Sequence, residues 1–499
     1  MTPIGYAFLI NRFDLKVLSP YKTSYLTSGQ TRTKECFASG EVEYFPSRFK
    51  LEEKWQDHLR FAIKHEGINL GVLKALFEKL DESELGALIC SQRVSVILRR
   101  IWFFYEFLTG RLLEIPPLKT GVYDYALPPE DYFTVDKGHA VRAPRQRLFC
   151  NLPGNAAFCP IVHLTKKIKS ALKTDFGAKI SAVLSKYPNE LIYRANAFLY
   201  LRETKSSFAI EQQTPSQQRI TAFMEVLKQA GTKELNTQAL VQLQNCIVDA
   251  RYAESGFRRD QVYVGQTLAP GHELVHFIGV KPNDLNSFME AFFETLKKLT
   301  TAGSNPVITA AVLSFAFVFI HPFDDGNGRL HRYLMHHILA MMKFSPENLI
   351  FPVSAVLYKN PRFYDRMLES FSKRLMPLIN YELDAIGSMT VENETADFYR
   401  YINYTEIVEL FFEIIEKTLE TELVPELDYL ESWEQARTQM RDIVDMPEKK
   451  AGLFITFIQQ NNGSFPKNRR EMFEELSDAE IEALTQVINK NILSRNTQK

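Results

Sequence analysis

The chain has 499 residues, of which 45% are hydrophobic and 24% are charged, as is typical of a globular protein with a large buried core and two to four domains. Its formal net charge is −1, from 59 basic and 60 acidic side chains, which excludes a protein that binds polyanions over its whole surface. Its five cysteines include no C-x-x-C pair, which argues against a disulfide framework or a zinc ribbon and indicates a reducing compartment.

Neither of the two apolar stretches that resemble targeting or membrane segments has the expected form. Ile4–Ile10 has no Lys or Arg before it, so it is not typical of a signal peptide. Val307–Ile320 contains 14 residues, whereas crossing a bilayer takes roughly 20, and it therefore predicts a buried core helix. We expect a cytoplasmic protein with no membrane contact.

Residues 1–159 predict an N-terminal α/β extension that ends in a proline-rich connection. The stretch "SVILRRIWFFYEFLTGRLLE", residues 95–114, is its clearest helical pattern. Six of the 23 prolines fall between residues 115 and 154. Because proline blocks long helices, this part is predicted to be extended.

Residues 160–375 are predicted to form a mainly helical core with one β-hairpin. Two short β-type runs, Gln261–Gly265 and Val275–Val280, lie on either side of Pro270 and Gly271, a pattern typical of a hairpin. The predicted fold class is therefore mainly α, with a helical core and hairpin between an N-terminal α/β extension and a C-terminal module.

Residues 376–499 are predicted to form a helical or winged-helix-like module. A helix should end near Gly463, and "SDAE", Ser477–Glu480, is a capping box that opens a final amphipathic helix. Lys467, Arg469 and Arg470 form a basic turn that could contact nucleic-acid phosphates. The favoured interpretation is a solvated basic turn. DNA contact by this turn is possible but is not favoured.

The segment "HPFDDGNGRLHR", residues 321–332, concentrates groups that bind anions. A helix is predicted to begin near Gly328, and the turn Gly326-Asn327-Gly328 before it lets an anion approach the backbone. Unpaired N–H groups and the positive end of the helix dipole make such a helix start a phosphate site. Arg329 and Arg332 leave one helix face beside it.

Two further side chains in this segment suggest chemistry on a nucleotide. Asp325 would repel a bare phosphate unless a divalent cation bridged them, and Mg²⁺ typically joins carboxylates to substrate phosphates. His321, with an ordinary pKa of about 6.5, can take a proton from a hydroxyl. The combination predicts phosphoryl or nucleotidyl transfer, although the loop is not a Walker sequence. Three more histidines nearby lack an obvious carboxylate partner and are predicted to be packing residues rather than metal ligands: His331, His336 and His337.

The segment resembles the Fic family signature H-x-F-x-[D/E]-G-N-G-R-x-x-R at all eight defined positions. Fic proteins characteristically move AMP from ATP onto a protein hydroxyl. Carried over residue by residue, the resemblance implies a general base at His321, a packing residue at Phe323 and a metal ligand at Asp325. It implies an anion hole at Gly326, Asn327 and Gly328. It also implies that Arg329 and Arg332 bind the nucleotide phosphates. Some relatives carry a lysine where this chain has Gly328 and phosphorylate instead, so its absence favours AMP transfer.

The resemblance also implies an inhibitory motif, [S/T]-x-x-x-E-[G/N], ahead of the catalytic residues. "SSFAIEQQ" supplies Ser207 and Glu211, with Gln212 where Gly or Asn is usual. In relatives that carry this motif, its glutamate pairs with the second arginine of the signature. Glu211 would then bind Arg332 and stop it from holding the γ-phosphate.

The predicted hairpin lies where Fic proteins place a flap that aligns the target chain. An exposed strand edge can pair with an extended peptide, which makes Tyr263 and Val264 flap candidates; an ordinary hairpin covering the core is the alternative. Tyr364 could stack on adenine, although an aromatic residue at that spacing is more often part of the core.

The favoured function is a Mg²⁺-dependent protein adenylyltransferase that uses ATP, is restrained by Glu211, and acts on a protein substrate such as the chain itself. Two alternatives stay open. One is a Fic enzyme that removes AMP or is bifunctional, and the other is a DNA-associated regulator whose Fic core is a nucleotide-responsive switch. Fic relatives often form homodimers, so a homodimer is a further expectation.

Overall fold

The structure, a computed structural model, describes residues 1–38, 40–269, 272–346, 349–384 and 387–494. The chain is mainly α, as predicted, with a few small sheets. Among the described residues, no helix is at once long enough and apolar enough to cross a lipid bilayer.

The N-terminal part packs helices against a four-stranded sheet. Its helices are α1 (Tyr6–Phe13), α2 (Trp55–Phe61), α3 (Leu70–Phe77), α4 (Glu82–Ser91) and α5 (Val96–Thr109). Its strands are β1 (Thr2–Ile4), β2 (Lys22–Thr27), β3 (Thr33–Phe37) and β4 (Gly40–Pro46). The strand order is β1-β2-β4-β3, with β2 and β4 parallel and the other pairs antiparallel.

Helix α5 is shorter than its apolar pattern predicts. It ends at Thr109, and the next residue, Gly110, adopts a left-handed φ of 70°, a conformation that glycine supplies at helix ends. The proline-rich connection that follows forms a small sheet of order β5-β7-β6, made of β5 (Asp124–Tyr125), β6 (Val141–Ala143) and β7 (Leu148–Cys150). Its extended character is as predicted.

The described residues of the middle region form a series of helices with one β-hairpin. The helices are α6 (Lys166–Ala171), α7 (Phe176–Leu184), α8 (Asn189–Ile210), α9 (Gln217–Lys228), α10 (Thr237–Ile247), α11 (Leu285–Thr301), α12 (Pro306–Ile320), α13 (Asn327–Met341), α14 (Val353–Lys359) and α15 (Pro361–Leu375). Strands β8 (Tyr263–Ala269) and β9 (His272–Ile278) pair antiparallel, which confirms the predicted hairpin. Pro270 and Gly271, the predicted turn, lie outside the described residues.

Helix α12 is the central helix of the core. All its residues from Val307 to Ile320 are buried, which confirms that the longest apolar run is a core helix. Asn305 caps it by accepting hydrogen bonds from the N–H groups of Val307 and Ile308, and Pro306 occupies its first turn. The end of α12 and the start of α13 are adjacent in sequence, and this junction carries the signature.

The C-terminal part is helical. It contains β10 (Tyr381–Leu383), β11 (Met389–Val391), α16 (Ala396–Arg400), α17 (Thr405–Thr418), α18 (Val424–Arg441), α19 (Glu448–Gln460) and α20 (Asp478–Ile488). The described residues after Val391 contain no strand, so of the two predicted forms the module has the helical one. Ser477 and Glu480 form the predicted capping box.

The basic turn of this module is engaged within the chain. Arg470 donates hydrogen bonds to the carbonyl oxygens of Phe473 and Leu476, and the Arg469 guanidinium lies over the Phe457 ring at 5.1 Å. Two of the three predicted basic side chains therefore have contacts within the module, and whether this turn contacts DNA stays a prediction.

Three large apolar clusters divide the interior. One holds side chains between Phe133 and Leu430, including α12, another belongs to the N-terminal part, and the third joins Ala436 to Ile492. The first cluster crosses the predicted divisions at residues 159/160 and 375/376, and those domain boundaries stay a prediction.

Candidate active site

His321 ends helix α12 in a left-handed backbone conformation. Its φ is 57° and its ψ is 61°, and its N–H donates to the carbonyl oxygen of Phe317 at 2.9 Å. A residue with a β-carbon in this region is strained by roughly 1–3 kcal/mol. The strained bend turns the chain out of the buried helix and presents the imidazole at its end.

The hydrogen bonds of His321 define which ring nitrogen is open. Nδ1 lies 3.0 Å from the carbonyl oxygen of Val318, and because a carbonyl only accepts, Nδ1 carries the proton. Nε2 is then the basic nitrogen. Loss of hydration lowers the pKa of His321 to about 4, so the imidazole is neutral at pH 7. Arg258 also lowers this pKa, whereas the charges of Glu211 and Asp325 raise it.

The loop after His321 is held by its own side chains. Phe323 is buried and packs against Phe257 at 5.6 Å between ring centroids. The buried Asn327 amide accepts from the N–H of Phe323 and donates to its carbonyl oxygen. Gly326 has a φ of 93°, and a β-carbon there would lie 2.9 Å from a methyl carbon of Val248, so the turn into α13 requires glycine.

Asp325 has the donor chemistry expected of a magnesium ligand. Its side chain is 44% exposed, and Oδ1 accepts from the N–H of Gly326 at 2.6 Å and from Arg329 Nη2 at 2.8 Å. No group of three or more His, Cys, Asp or Glu in the described part of the chain could hold a metal by itself. One partly exposed carboxylate beside the predicted phosphate site fits Mg²⁺, which takes its other ligands from phosphates and water.

Arg329 is directed toward protein groups. Its side chain is 1% exposed, and besides Asp325 it donates to Gln213 Oε1 at 3.0 Å and to the carbonyl oxygen of Ile247 at 3.2 Å. In this conformation Arg329 orients the Asp325 carboxylate. Its predicted contact with nucleotide phosphate stays a prediction.

Arg332 is bound by the segment that carries the predicted inhibitory motif. Its Nη2 donates to Glu211 Oε1 at 2.8 Å and to the carbonyl oxygen of Ser207 at 2.8 Å, and its Nε donates to Ser207 Oγ at 2.9 Å. Burial lowers the pKa of Arg332, but the charge and hydrogen bond of Glu211 act together with Tyr364 and Glu203 to raise it, and the net pKa is raised. The structure therefore brings Ser207, Glu211 and Arg332 together.

The Glu211 carboxylate lies over the first turn of α13. A β-carbon placed on Gly328 would overlap Glu211 Oε1, so an acidic side chain occupies the space beside the helix start. Gln212, which follows, has a φ of 54°. This left-handed position explains why glycine or asparagine is usual there, since both adopt it at low cost.

The remaining predicted side chains lie around this centre. Val264 is 46% exposed on β8, and Tyr263 is partly buried at the beginning of the same strand. Tyr364 is partly buried, and its ring centroid lies 6.0 Å from the Arg332 guanidinium. Burial raises the pKa of the Tyr364 phenol to about 12.

The three other histidines of this region each have a separate partner. His331 Nδ1 lies 2.7 Å from the carbonyl oxygen of Ser314, and His337 Nδ1 lies 3.0 Å from the Tyr333 hydroxyl. The expectation that none has a carboxylate partner is wrong for His336, whose Nε2 lies 2.7 Å from the buried Glu203 Oε1. Glu203 is 133 residues away in sequence, which is why no local pattern indicated it.

Sequence reasoning missed two polar residues that support the signature loop. Glu254 Oε1 accepts from the N–H of Asp324 at 3.0 Å, and Gln244 donates to the carbonyl oxygen of Asp325 at 3.3 Å. Burial raises the pKa of Glu254, and the neighbouring acids Asp324 and Asp325 raise it further. Both lie before the hairpin, and no motif distinguishes them.

Comparison with known proteins finds similarity within this region. Residues 234–339 match the sequence profile of the Fic/DOC family. The curated relatives include proteins called "Protein adenylyltransferase Fic" from Drosophila willistoni and Drosophila melanogaster, each 39% identical over 90 residues. That match covers 18% of this chain and 16% of each relative.

Two solved structures align with part of this chain. A Fic family protein from Desulfovibrio desulfuricans aligns with 67% of this chain and 90% of its own, at 17% identity and a TM-score of 0.37. A Fic domain-containing signalling protein from Bacteroides thetaiotaomicron aligns with 53% of this chain and 95% of its own, at 18% identity and a TM-score of 0.35.

Proposed function

We propose that this chain, which contains a Fic/DOC-family domain at residues 234–339, transfers AMP from ATP to a hydroxyl group of a protein. The observation that carries the proposal is the junction of α12 and α13. There a neutral imidazole with an open Nε2 lies at the end of one helix, and a glycine-lined helix start with a carboxylate beside it begins the next.

In this reaction the hydroxyl oxygen of the target attacks the α-phosphorus of ATP. His321 Nε2 takes the hydroxyl proton, the new O–P bond forms, and the bond between the α-phosphorus and the bridging oxygen to the β-phosphate breaks. Pyrophosphate leaves with that electron pair. The low pKa of His321 keeps the base unprotonated at neutral pH, as a general base requires.

Asp325 would hold the Mg²⁺ ion, which when bound supplies positive charge against the phosphate oxygens. Backbone N–H groups at the start of α13 receive phosphate oxygens, since they lack partners within the helix. Arg329 keeps the Asp325 carboxylate in place by its hydrogen bond to Oδ1.

Glu211 would restrain the reaction. Its carboxylate holds Arg332 and covers Gly328, so a triphosphate at the helix start meets negative charge and finds the arginine engaged. Replacing Glu211 frees both the cation and the space.

The test measures intact mass and incorporation of label from α-labelled ATP with Mg²⁺. Glu211→Gly should gain one AMP unit on the chain or on an added protein acceptor, at a rate about tenfold or more above wild type, because Arg332 can then orient the phosphates. The double variant Glu211→Gly with His321→Ala should incorporate none.

Glu190→Gly is the matched control, since Glu190 is an exposed glutamate in the first turn of the same helix and should leave incorporation at the wild-type level. Absence of AMP incorporation in every variant contradicts the transfer reaction. Equal incorporation in wild type and Glu211→Gly contradicts the restraint alone.

A further inference from the structure

Arg258 connects the base of the hairpin to the residue that carries the imidazole. It is 4% exposed, and each of its three guanidinium nitrogens donates to a main-chain carbonyl oxygen. Nε donates to His321 at 2.7 Å, Nη1 donates to Asp260 at 2.6 Å, and Nη2 donates to Val280. One side chain therefore joins three segments: the end of α12, the chain entering β8 and the chain leaving β9.

Backbone hydrogen bonds join the same segments. The N–H of Arg258 donates to the carbonyl oxygen of Pro322 at 3.0 Å, and the N–H of Val280 donates to that of Ile320 at 3.3 Å. Both ends of the hairpin are thus hydrogen-bonded to residues 320–322. A movement of the hairpin base has to be transmitted to His321 or break these bonds.

Gly279 shows how closely these groups are packed. A β-carbon at Gly279 would lie 3.0 Å from Arg258 Nη2 and 3.0 Å from the β-carbon of His321. Contacts this short force the neighbours to move, and neither the hydrogen-bonded guanidinium nor the backbone-fixed histidine has free space. The missing side chain of Gly279 allows the guanidinium to reach the His321 carbonyl.

The environment of Arg258 is costly for a cation. Burial lowers its pKa to about 10, and its hydrogen bonds go to neutral carbonyls, which offset lost hydration less well than a carboxylate would. The carbonyl of His321 belongs to a strained left-handed residue at a helix end. Such a residue persists only where its surroundings hold it, and Arg258 supplies that hold.

We propose that Arg258 is a positioning residue for AMP transfer, which fixes the backbone of His321 and couples it to the hairpin that precedes the signature. This inference rests on the proposed function. Arg258 touches no reacting atom in this arrangement, and it acts through the orientation of the imidazole.

The first test is kinetic and uses the Glu211→Gly chain as the parent. Arg258→Lys keeps the charge but loses the planar fork that reaches three carbonyls. It should lower the rate at saturating ATP by about tenfold to a hundredfold, as misplaced catalytic groups do, with the KM for ATP near the parent value. Arg259→Gln is the matched control, because Arg259 is the exposed neighbour, and it should retain the parent rate.

The second test is independent of activity. Nuclear magnetic resonance of chains labelled with ¹⁵N at histidine, with His321→Ala to assign the signal, reports the tautomer and titration of His321. In the parent, and in Arg259→Gln, Nδ1 should carry the proton and the midpoint should lie well below the ordinary histidine value, because burial lowers the pKa of His321. Arg258→Gln should move the midpoint to higher pH, because it removes the cation that lowers the pKa of His321. Glu211 is already replaced in the parent, so the charge of Asp325, which raises this pKa, then acts without the opposing charge of Arg258.

Arg258→Lys should keep the midpoint near the parent value and show a new fraction protonated at Nε2, because the backbone is no longer held. This variant decides the matter if Arg258→Gln fails to fold. The inference is overturned if His321 signals and rates in both Arg258 variants equal those of Arg259→Gln. A parent that transfers no AMP contradicts the proposed function, whereas the resonance comparison still decides whether Arg258 fixes His321.

Discussion

Gln212 occupies a backbone conformation that its side chain does not favour. Its φ of 54° places it in the left-handed region, directly after the glutamate that binds Arg332. The side chain is exposed, so the position is set by the chain reversal between α8 and the next segment rather than by packing. The pairing of Glu211 with Arg332 is thus maintained against a local strain.

Replacing Gln212 with glycine should relieve this strain. Gln212→Gly is expected to raise the free energy of unfolding by about 1 kcal/mol, since the left-handed conformation costs a residue with a β-carbon roughly 1–2 kcal/mol, and glycine's greater freedom in the unfolded chain offsets part of it. Urea unfolding followed by circular dichroism measures the change.

Gln242 provides the control, because it is an exposed glutamine within α10. Gln242→Gly should lower the free energy of unfolding by about 1 kcal/mol, the usual cost of glycine in a helix. Equal losses for both variants would contradict the strain at Gln212.

One side of the C-terminal part of α8, together with the residue that follows it, supplies the carboxylate and hydroxyl partners of Arg332 and His336. Glu203, Ser207 and Glu211 follow each other at intervals of four residues, so they lie along one side of the helix end. Glu203 binds His336 of α13 and also accepts from the N–H of Ser354 in α14 at 2.8 Å. The contact of Glu211 with Arg332 is therefore the last of a series that begins two turns earlier.

Glu203→Ala should weaken this attachment. Because Glu203 is 1% exposed and its removal leaves buried partners unpaired, we expect a loss of stability of about 3 kcal/mol. Amide hydrogen exchange should increase in α8, and AMP incorporation should rise above wild type. Glu190→Ala, on the exposed first turn of α8, should change neither, and protection of α8 at the wild-type level in Glu203→Ala would contradict the attachment.

The same contacts show what the sequence could predict. The signature segment is local, so its helix start and its glycine turn follow from neighbouring residues, whereas the packing role of Phe323 was implied by the family resemblance. The contact between Glu211 and Arg332 joins residues 121 apart, and it was implied only by family resemblance. Arg258 with His321 and Glu203 with His336 are 63 and 133 residues apart, and tertiary packing alone brings them together.

For the whole molecule, burial of neutral histidines makes stability depend on pH. Burial lowers the pKa of His163 and His331 to about 3 and that of His321 and His337 to about 4. Below about pH 6.5 the unfolded chain binds protons at these sites that the folded chain does not, so stability is lost as pH falls. Glu66 has the opposite effect, because burial raises the pKa of its carboxyl group to about 8. Its contribution to the stability of the folded chain is lost as the pH rises through 8.

His163→Phe tests one of these groups. The His163 ring stacks on Tyr21 at 4.1 Å and contacts Tyr132 at 4.8 Å, and phenylalanine can keep both contacts without titrating. As the pH falls from 7 to 5, the free energy of unfolding should decrease less steeply in this variant than in the wild type. The difference between the two slopes should be on the order of 1 kcal/mol per pH unit. His276→Phe is the control, because His276 is exposed on β9, and it should keep the wild-type slope. Equal slopes for all three chains would exclude the contribution of His163.

The position of the Glu211 carboxylate over Gly328 also limits the routes by which this chain can diverge. A β-carbon at residue 328 would overlap the end of the Glu211 side chain, so any residue larger than glycine there has to push the carboxylate aside. Under the proposed function, a single substitution at position 328 would therefore alter the phosphate site and the restraint at the same time.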